Sequence, residues 1–209
     1  MDKAKQGRVV VIAGPSGVGK GTVIGALKKL RDFRVSVSHT TRGIRPSETK
    51  DVSYHFVTRE QFRALVDEGL MLETTCYQGN YYGTSRTAVE DALALGEDVF
   101  LDIEVEGAKN VRRAFPDAVE FFLLPPSMEE LERRLRDRNS GEDEPTIQGR
   151  LAQARAEIAC APGFDYIVVN GTVAQTAAEI DACLTAHALR AGERAPLVER
   201  LLAGENITL

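Results

Sequence analysis

Long apolar runs are missing from this 209-residue chain: none approaches the roughly 18 consecutive apolar residues that a membrane-spanning helix needs. The first residues, MDKAKQGR, are too polar for a signal peptide. Both absences point to a cytoplasmic protein with no membrane partner. Cysteine is scarce, at three residues, and Cys76, Cys160 and Cys183 lie far apart. An odd, scattered set supports neither a disulfide framework nor a zinc site, and the expectation is that each is a small buried apolar residue. There is no excess of positive charge either. A formal net charge of -5 argues against a nucleic-acid partner, because nonspecific binding to a phosphate backbone needs a strong positive field. Internal repeats and low-complexity tracts are absent as well. What remains is 43% apolar and 27% charged residues, the balance of a globular domain able to bury a core.

Apolar β-rich runs occur at 8–13, 98–103, 119–124 and 166–169. Helical periodicity separates them, at about 20–31, 85–95, 105–114, 127–139, 145–160 and 174–190. Strands alternating with helices imply an α/β domain whose parallel sheet is flanked by helices. Thr58 with Gln61, and Ser127 with Glu130, have the spacing of a capping box and mark helix starts. From about 35 to 89 the pattern changes to a Ser-, Thr-, Tyr- and Gly-rich region with one convincing helix near 59–69, read as a lobe inserted into the core. The core is then 1–34, 90–130 and 155–190. A second interruption, NSGEDEPT at 139–146, suits a mobile lid spanning about 131–154. The tail, 191–209, has room for a short amphipathic helix around Pro196 to Leu202.

Strand RVVVIA runs directly into Gly14-Pro15-Ser16-Gly17-Val18-Gly19-Lys20-Gly21-Thr22, and a helical pattern follows at once. Strand, glycine-rich loop and helix in that order form a P-loop. Glycines let successive amides point into one concavity, the helix adds its positive end, and Lys20 supplies a mobile cation for phosphate oxygens. Residues 14–22 are therefore assigned to ATP, and the expected fold is that of P-loop NTPases. Gly21 stands where the usual motif has a Ser or Thr for magnesium, with the hydroxyl displaced to Thr22; water is then expected to fill most of the Mg2+ shell. Asp102, closing the hydrophobic run Val99-Phe100-Leu101, is the candidate to hold that shell through water.

The lobe carries Ser38-His39-Thr40-Thr41-Arg42-Gly43-Ile44-Arg45, then Tyr54, then Gly79-Asn80-Tyr81-Tyr82-Gly83-Thr84. Two arginines at this spacing are by themselves usually solvated, so the flanking segments decide their meaning. Together with the P-loop, these segments resemble guanylate kinases, over about residues 8–170. The resemblance implies transfer of the γ-phosphate of ATP to GMP, with dGMP as an alternative acceptor, in purine nucleotide metabolism. It implies that Arg42, Arg45, Tyr54 and Tyr82 hold the GMP phosphate and that Glu73, with Ser38 and Thr84 beside it, reads the base. Guanine offers an N1–H and an amino group that one carboxylate can accept, whereas adenine brings an unprotonated N1.

In Asp102-Ile103-Glu104-Val105-Glu106-Gly107, Asp102 and Glu104 project from the same side of a strand, so Glu104 is placed at the guanine amino edge; Glu106 stands where the family commonly has Gln. By the same resemblance Lys20, Arg42, Arg134, Arg138 and Arg150 are the catalytic cations. Arg133 and Arg136 read as solvated. Asn170 keeps a position close to the donor adenine, although Gly171-Thr172 replaces the family's acidic pair. Against a kinase for another acceptor stand the Ser-x-Thr-Thr-Arg, Glu73 and Asn-Tyr-Tyr-Gly segments together; against a non-catalytic guanylate-kinase-like binding domain stands the intact loop from Gly14 to Lys20. A homo-oligomer is compatible with the chain.

Overall fold

The computed structural model describes residues 7–45, 48–77, 79–137 and 143–207. In chain order the strands are β1 (Val9–Ala13), β2 (Arg34–Val35), β3 (His39–Thr40), β4 (His55–Phe56), β5 (Met71–Tyr77), β6 (Asn80–Ser85), β7 (Val99–Asp102), β8 (Val119–Leu124) and β9 (Tyr166–Val169). The α-helices are α1 (Lys20–Leu27), α2 (Arg59–Asp67), α3 (Arg86–Ala94), α4 (Val105–Ala114), α5 (Met128–Asp137), α6 (Glu144–Ile158), α7 (Val173–Ala188) and α8 (Ala191–Leu202).

A five-stranded sheet, ordered β2-β7-β1-β8-β9, has every pairing parallel. β1 lies at its centre because all five of its residues are apolar and all are buried, as a strand covered on both faces requires. The period-2 alternation of β1 then makes two cores. Val9, Val11 and Ala13 pack with Leu101, Val105, Ala108 and Val111 beneath α4. Val10 and Ile12 pack with Ile24, Leu27, Phe100, Ile180 and Leu184 beneath α1 and α7. β2 was not anticipated from sequence, since two residues carry no period. Glu120 is the one charged residue of β8 and is 2% exposed; Arg112 of α4 pairs with it.

The region between β2 and α3 folds as a second, four-stranded sheet, ordered β4-β3-β6-β5, with β3–β4 parallel and the other pairings antiparallel. Helix α2 begins at the anticipated capping box: Thr58 accepts from the Gln61 amide, and the Gln61 side chain accepts from the Thr58 amide at 2.9 Å. Only half of the second box forms. Ser127 Oγ accepts from the Glu130 amide at 3.1 Å, but the Glu130 carboxylate turns to Arg133 and Arg134 instead.

α5 and α6 pack through Leu131, Leu135, Ile147, Leu151 and Ala154, a core of their own. Residues 138–142, which include Arg138 and the first half of the anticipated interruption at 139–146, lie outside the described residues; its second half forms the N-cap, Asp143, and the first turn of α6. α1 ends at Leu27, four residues short of the anticipated 31, in a series of tight turns. The tail helix, by contrast, starts five residues before Pro196. An exposed helix tolerates that proline, whose missing N–H costs one intrahelical bond. The cysteines correct the expectation of burial: all three are free, Cys76 is exposed, and Cys160 and Cys183 are half-buried. Cys76 sits on the outward side of β5, where strand alternation turns it away from its neighbours Thr75 and Tyr77. Among the described residues no helix is long and apolar enough to cross a membrane.

Candidate active site

Parallel strands end on one edge of the sheet, and the chain leaving β1 and β7 there builds the floor of a cleft. The loop after β1 starts at Gly14, whose φ of +141° favours glycine and where a Cβ would meet the Leu123 carbonyl oxygen of β8 at 2.6 Å. Pro15, Ser16, Gly17, Gly19, Lys20 and Gly21 all line the cleft. Val18 does not line it, its side chain being fully buried in the α1–α7 core. Thr22 is exposed and is not among the residues lining the cleft.

Lys20 Nζ donates to the Gly14 carbonyl at 2.8 Å and stands 3.5 Å from Glu104 Oε1 and 3.9 Å from Asp102 Oδ1. Burial opposes its charge, but Glu104 and Asp102 outweigh burial and raise it above its ordinary value. β7 ends at Asp102, and the extended backbone at Glu104 continues the alternation, so both carboxylates reach the same cation. Glu104 Oε2 is buried with no partner among the described residues. A Cβ at Gly21 would lie 3.7 Å from Asp102 Oδ2, so space is left between the loop and that carboxylate. No group of three or more His, Cys, Asp or Glu among the described residues is arranged to hold a metal alone. A donor set of one or two carboxylates beside a phosphate loop fits Mg2+, which keeps several waters and takes its remaining ligands from phosphate oxygens.

The lobe supplies the opposite wall: Ser38, Arg42, Arg45, Tyr54, Glu73 and Tyr82 all line the cleft. Thr84 stands behind it, fully buried, and donates to Glu73 Oε1 at 2.7 Å. That contact depends on a register shift between Met71 and Glu73, which sets Glu73 directly opposite Thr84 across β5 and β6. Glu73 is 5% exposed, and burial raises its carboxyl above the ordinary range, opposed by the Thr84 bond. Its other oxygen packs on α4: a Cβ at Gly107 would approach Glu73 Oε2 to 2.9 Å.

Arg42 lies 5.4 Å from the centre of the Tyr54 ring, and the Tyr54 and Tyr82 rings are 6.0 Å apart. Burial, with Asp102 and Tyr82 adding to it, pushes the Tyr54 phenol up to about 12, so it remains a donor at neutral pH. The Arg42 fork grips Glu48 through two bonds of 3.0 and 2.8 Å, and Glu48 also accepts from the Arg45 amide at 2.9 Å. A planar carboxylate thus occupies the fork in the bidentate manner a phosphate would take.

From the third side Arg150 of α6, 5% exposed, donates to Ser16 Oγ at 2.6 Å. Arg134 of α5 reaches the back of the loop. Its Nε bonds Glu130 at 2.8 Å, and its terminal nitrogens bond the Val18 and Asn170 carbonyls, each at 3.1 Å, which uses three of its five N–H donors. Asn170 is 3% exposed and does not line the cleft. Arg133 and Arg136 form ion pairs on the exposed faces of α5.

Sequence reasoning missed Thr75 and Tyr77, which line the cleft with Glu73. Positions 73, 75 and 77 share one face of β5, so the strand period was a usable sign of them. It also missed Glu48, which no local pattern marks.

The guanylate kinase family model matches residues 6–187. A guanylate kinase of Synechococcus sp. (strain JA-3-3Ab) is 48% identical over 182 residues, covering 87% of this chain and 83% of that protein. A guanylate kinase of Thermus thermophilus is 49% identical over 201 residues, covering 96% and 89% respectively. The crystal structure of guanylate kinase from Anaplasma phagocytophilum superposes with a TM-score of 0.73 at 32% identity, covering 89% of this chain and 88% of that one. A P-loop facing a buried carboxylate and two arginines across one cleft, with sequence likeness of this depth over nearly the whole chain, places the protein in the guanylate kinase family.

Proposed function

We propose that the protein transfers the γ-phosphoryl group of ATP to GMP, giving ADP and GDP. The observation that carries this reading is the opening of the P-loop and of the Glu73–Arg42 wall into one cleft. Two nucleotides bound at those places have their phosphates face to face.

Glu73, as the carboxylate, accepts from guanine N1–H and the amino group, while Thr84 fixes its orientation from behind and Ser38 lies at the same wall. Adenine lacks the N1 proton and would leave a buried charge unpaired. Arg42, Arg45, Tyr54 and Tyr82 take the GMP phosphate, and Arg42 exchanges the Glu48 carboxylate for it. On the donor side the amides of the glycine loop and Lys20 hold the β and γ phosphates. Arg150, set against Ser16, and Arg134, with its two remaining N–H donors, add positive charge around the transferring group, whose oxygens carry the charge of the transition state. Asp102 would hold the water shell of Mg2+, with Glu104 beside it; the bound ion neutralises phosphate oxygens. Arg138 belongs to the same set by resemblance and lies outside the described residues.

No side chain has to remove a proton, because the phosphate of GMP is a dianion near neutral pH and attacks directly. Positioning does most of the work, and exclusion of water keeps hydrolysis from competing. Such a nucleotide cycle, and thiols that are all free, accord with a cytoplasmic location. The test is ADP formation from ATP and magnesium with GMP, dGMP, AMP, CMP or UMP offered singly against a blank without acceptor. Strong turnover with GMP and little with AMP is expected; turnover that prefers AMP, or none above the blank, refutes the reading.

A further inference from the structure

The amide of Asn170 is engaged at both ends. Nδ2 donates to the Val18 carbonyl at 2.7 Å, and Oδ1 accepts from Thr176 Oγ1 at 3.1 Å. A carbonyl oxygen can only accept, so the nitrogen end must face Val18, which defines the orientation of the amide. Thr176, in the first turn of α7 and 1% exposed, has a single hydroxyl proton, which it shares among Asn170 Oδ1, the Thr172 carbonyl at 2.9 Å and the Val169 carbonyl at 3.4 Å. This chain of contacts ties α7 to the P-loop.

A trans peptide is planar, and its C=O and N–H point in opposite directions. Drawn by Asn170 at 2.7 Å and more loosely by Arg134 at 3.1 Å, neither of which lines the cleft, the Val18 oxygen turns the Gly19 N–H toward the cleft that Gly19 lines. Gly19 holds a left-handed conformation, φ 101° and ψ 25°, and a Cβ there would come within 2.7 Å of Asn170 Nδ2. Glycine is thus required both for the turn and for the approach of the amide.

We propose that Asn170, oriented by Thr176, is a positioning residue for the donor phosphates: it holds the Val18–Gly19 peptide so that an N–H, and not a carbonyl oxygen, faces the nucleotide. The inference rests on the reading of the loop as the ATP site. It gives the Asn170 side chain a task behind the loop in place of contact with the adenine base.

ATP and GMP affinities of the full chain, measured separately by calorimetry together with thermal unfolding, test it. Asn170→Ala should weaken ATP about tenfold, the worth of one buried hydrogen bond, and change GMP by less than about twofold. Asn170→Asp keeps the shape but sets an acceptor against the Val18 oxygen, and should weaken ATP at least as much. Thr176→Val removes only the orienting hydroxyl, with an expected loss of about threefold for ATP alone; it carries the test if Asn170→Ala fails to fold. Equal weakening of both nucleotides, or a lowered melting temperature with unchanged ATP affinity, would overturn the inference. So would wild-type ATP affinity in Asn170→Asp. A wild-type protein that binds ATP but does not phosphorylate GMP would refute the proposed reaction while these ATP affinities still decide the role of Asn170.

Discussion

In the reaction proposed above, Glu73 concentrates the base selectivity in one carboxylate, and its surroundings make it sensitive to substitution. The Thr84 hydroxyl donates to one oxygen and the backbone at Gly107 crowds the other, so the group is held in a single orientation. Glu73→Gln turns an acceptor into an amide whose NH2 opposes a guanine donor. We expect kcat/KM for GMP to fall by about 10²-fold with little change for AMP, checked in the acceptor assay; unchanged selectivity would remove Glu73 from base reading.

Glu157 of α6 offers a test against pH. Burial, reinforced by Glu104 and opposed by Gln153 and Lys20, pushes its carboxyl from 4.5 up to about 7. Between those values the folded chain keeps a proton that the unfolded chain has released, so this group's contribution to stability falls as pH rises through the window. Glu157→Gln should therefore gain stability relative to the parent between about pH 5 and about pH 8, read as urea midpoints. Parallel pH profiles for the two proteins would show that Glu157 ionises normally. Glu73 and Arg42 were legible as residues because short motifs flank them. Glu48 and Thr176 were not, since no pattern of residue types marks their contacts six or fewer positions along the chain, nor were the proton-holding surroundings of Glu157, which bring Glu104 and Lys20 together from separate elements.

Elements were legible wherever their period was long enough to see. The four apolar runs became β1, β7, β8 and β9, whereas β2, β3 and β4, of two residues each, exist through their partners and carry no pattern of their own. The capping box at Thr58 is a local feature with a local consequence. Thr58→Ala leaves the Gln61 amide without its acceptor and should cost about 1 kcal/mol of unfolding free energy, with kcat nearly unchanged. A loss well below that in denaturant melts would mean that tertiary packing alone holds α2. Helix α8 is the opposite case. None of its residues is buried, Val198, Leu201 and Leu202 are exposed, and the family match ends at 187, before it starts. Removal of residues 191–209 should leave kcat and both KM values within about twofold, because a weakly packed terminal element contributes little to a distant site. A loss of activity in steady-state assays would place the tail in the catalytic unit.

At the scale of the molecule, three separate parts meet at the loop: the sheet edge carries it, the lobe faces it with Glu73 and Arg42, and α5 and α6 touch it through Arg134 and Arg150. Ligands that bind only this assembled cleft stabilise the whole fold by linkage. ATP at about 100 times its Kd should add about 2.7 kcal/mol, with GMP acting similarly, measured as shifts in melting temperature. No shift with either nucleotide would contradict a preformed cleft.

The sequence by itself determined the alternation of strands and helices, the strand–loop–helix context of the P-loop, the capped start of α2, and the residue types of the cleft wall opposite that loop. Those properties are written in neighbours along the chain: hydrophobic period, glycine spacing, and side chains that cap the nearest turn. Only the tertiary structure decided that Thr84 stands behind Glu73, that Glu48 occupies the Arg42 fork, that Cys76 is exposed, and that Asn170 grips the loop from 152 positions away. Directional contacts and burial of this kind arise from how sheets and helices pack around the cleft, and a linear pattern carries no record of which distant side chain will meet which.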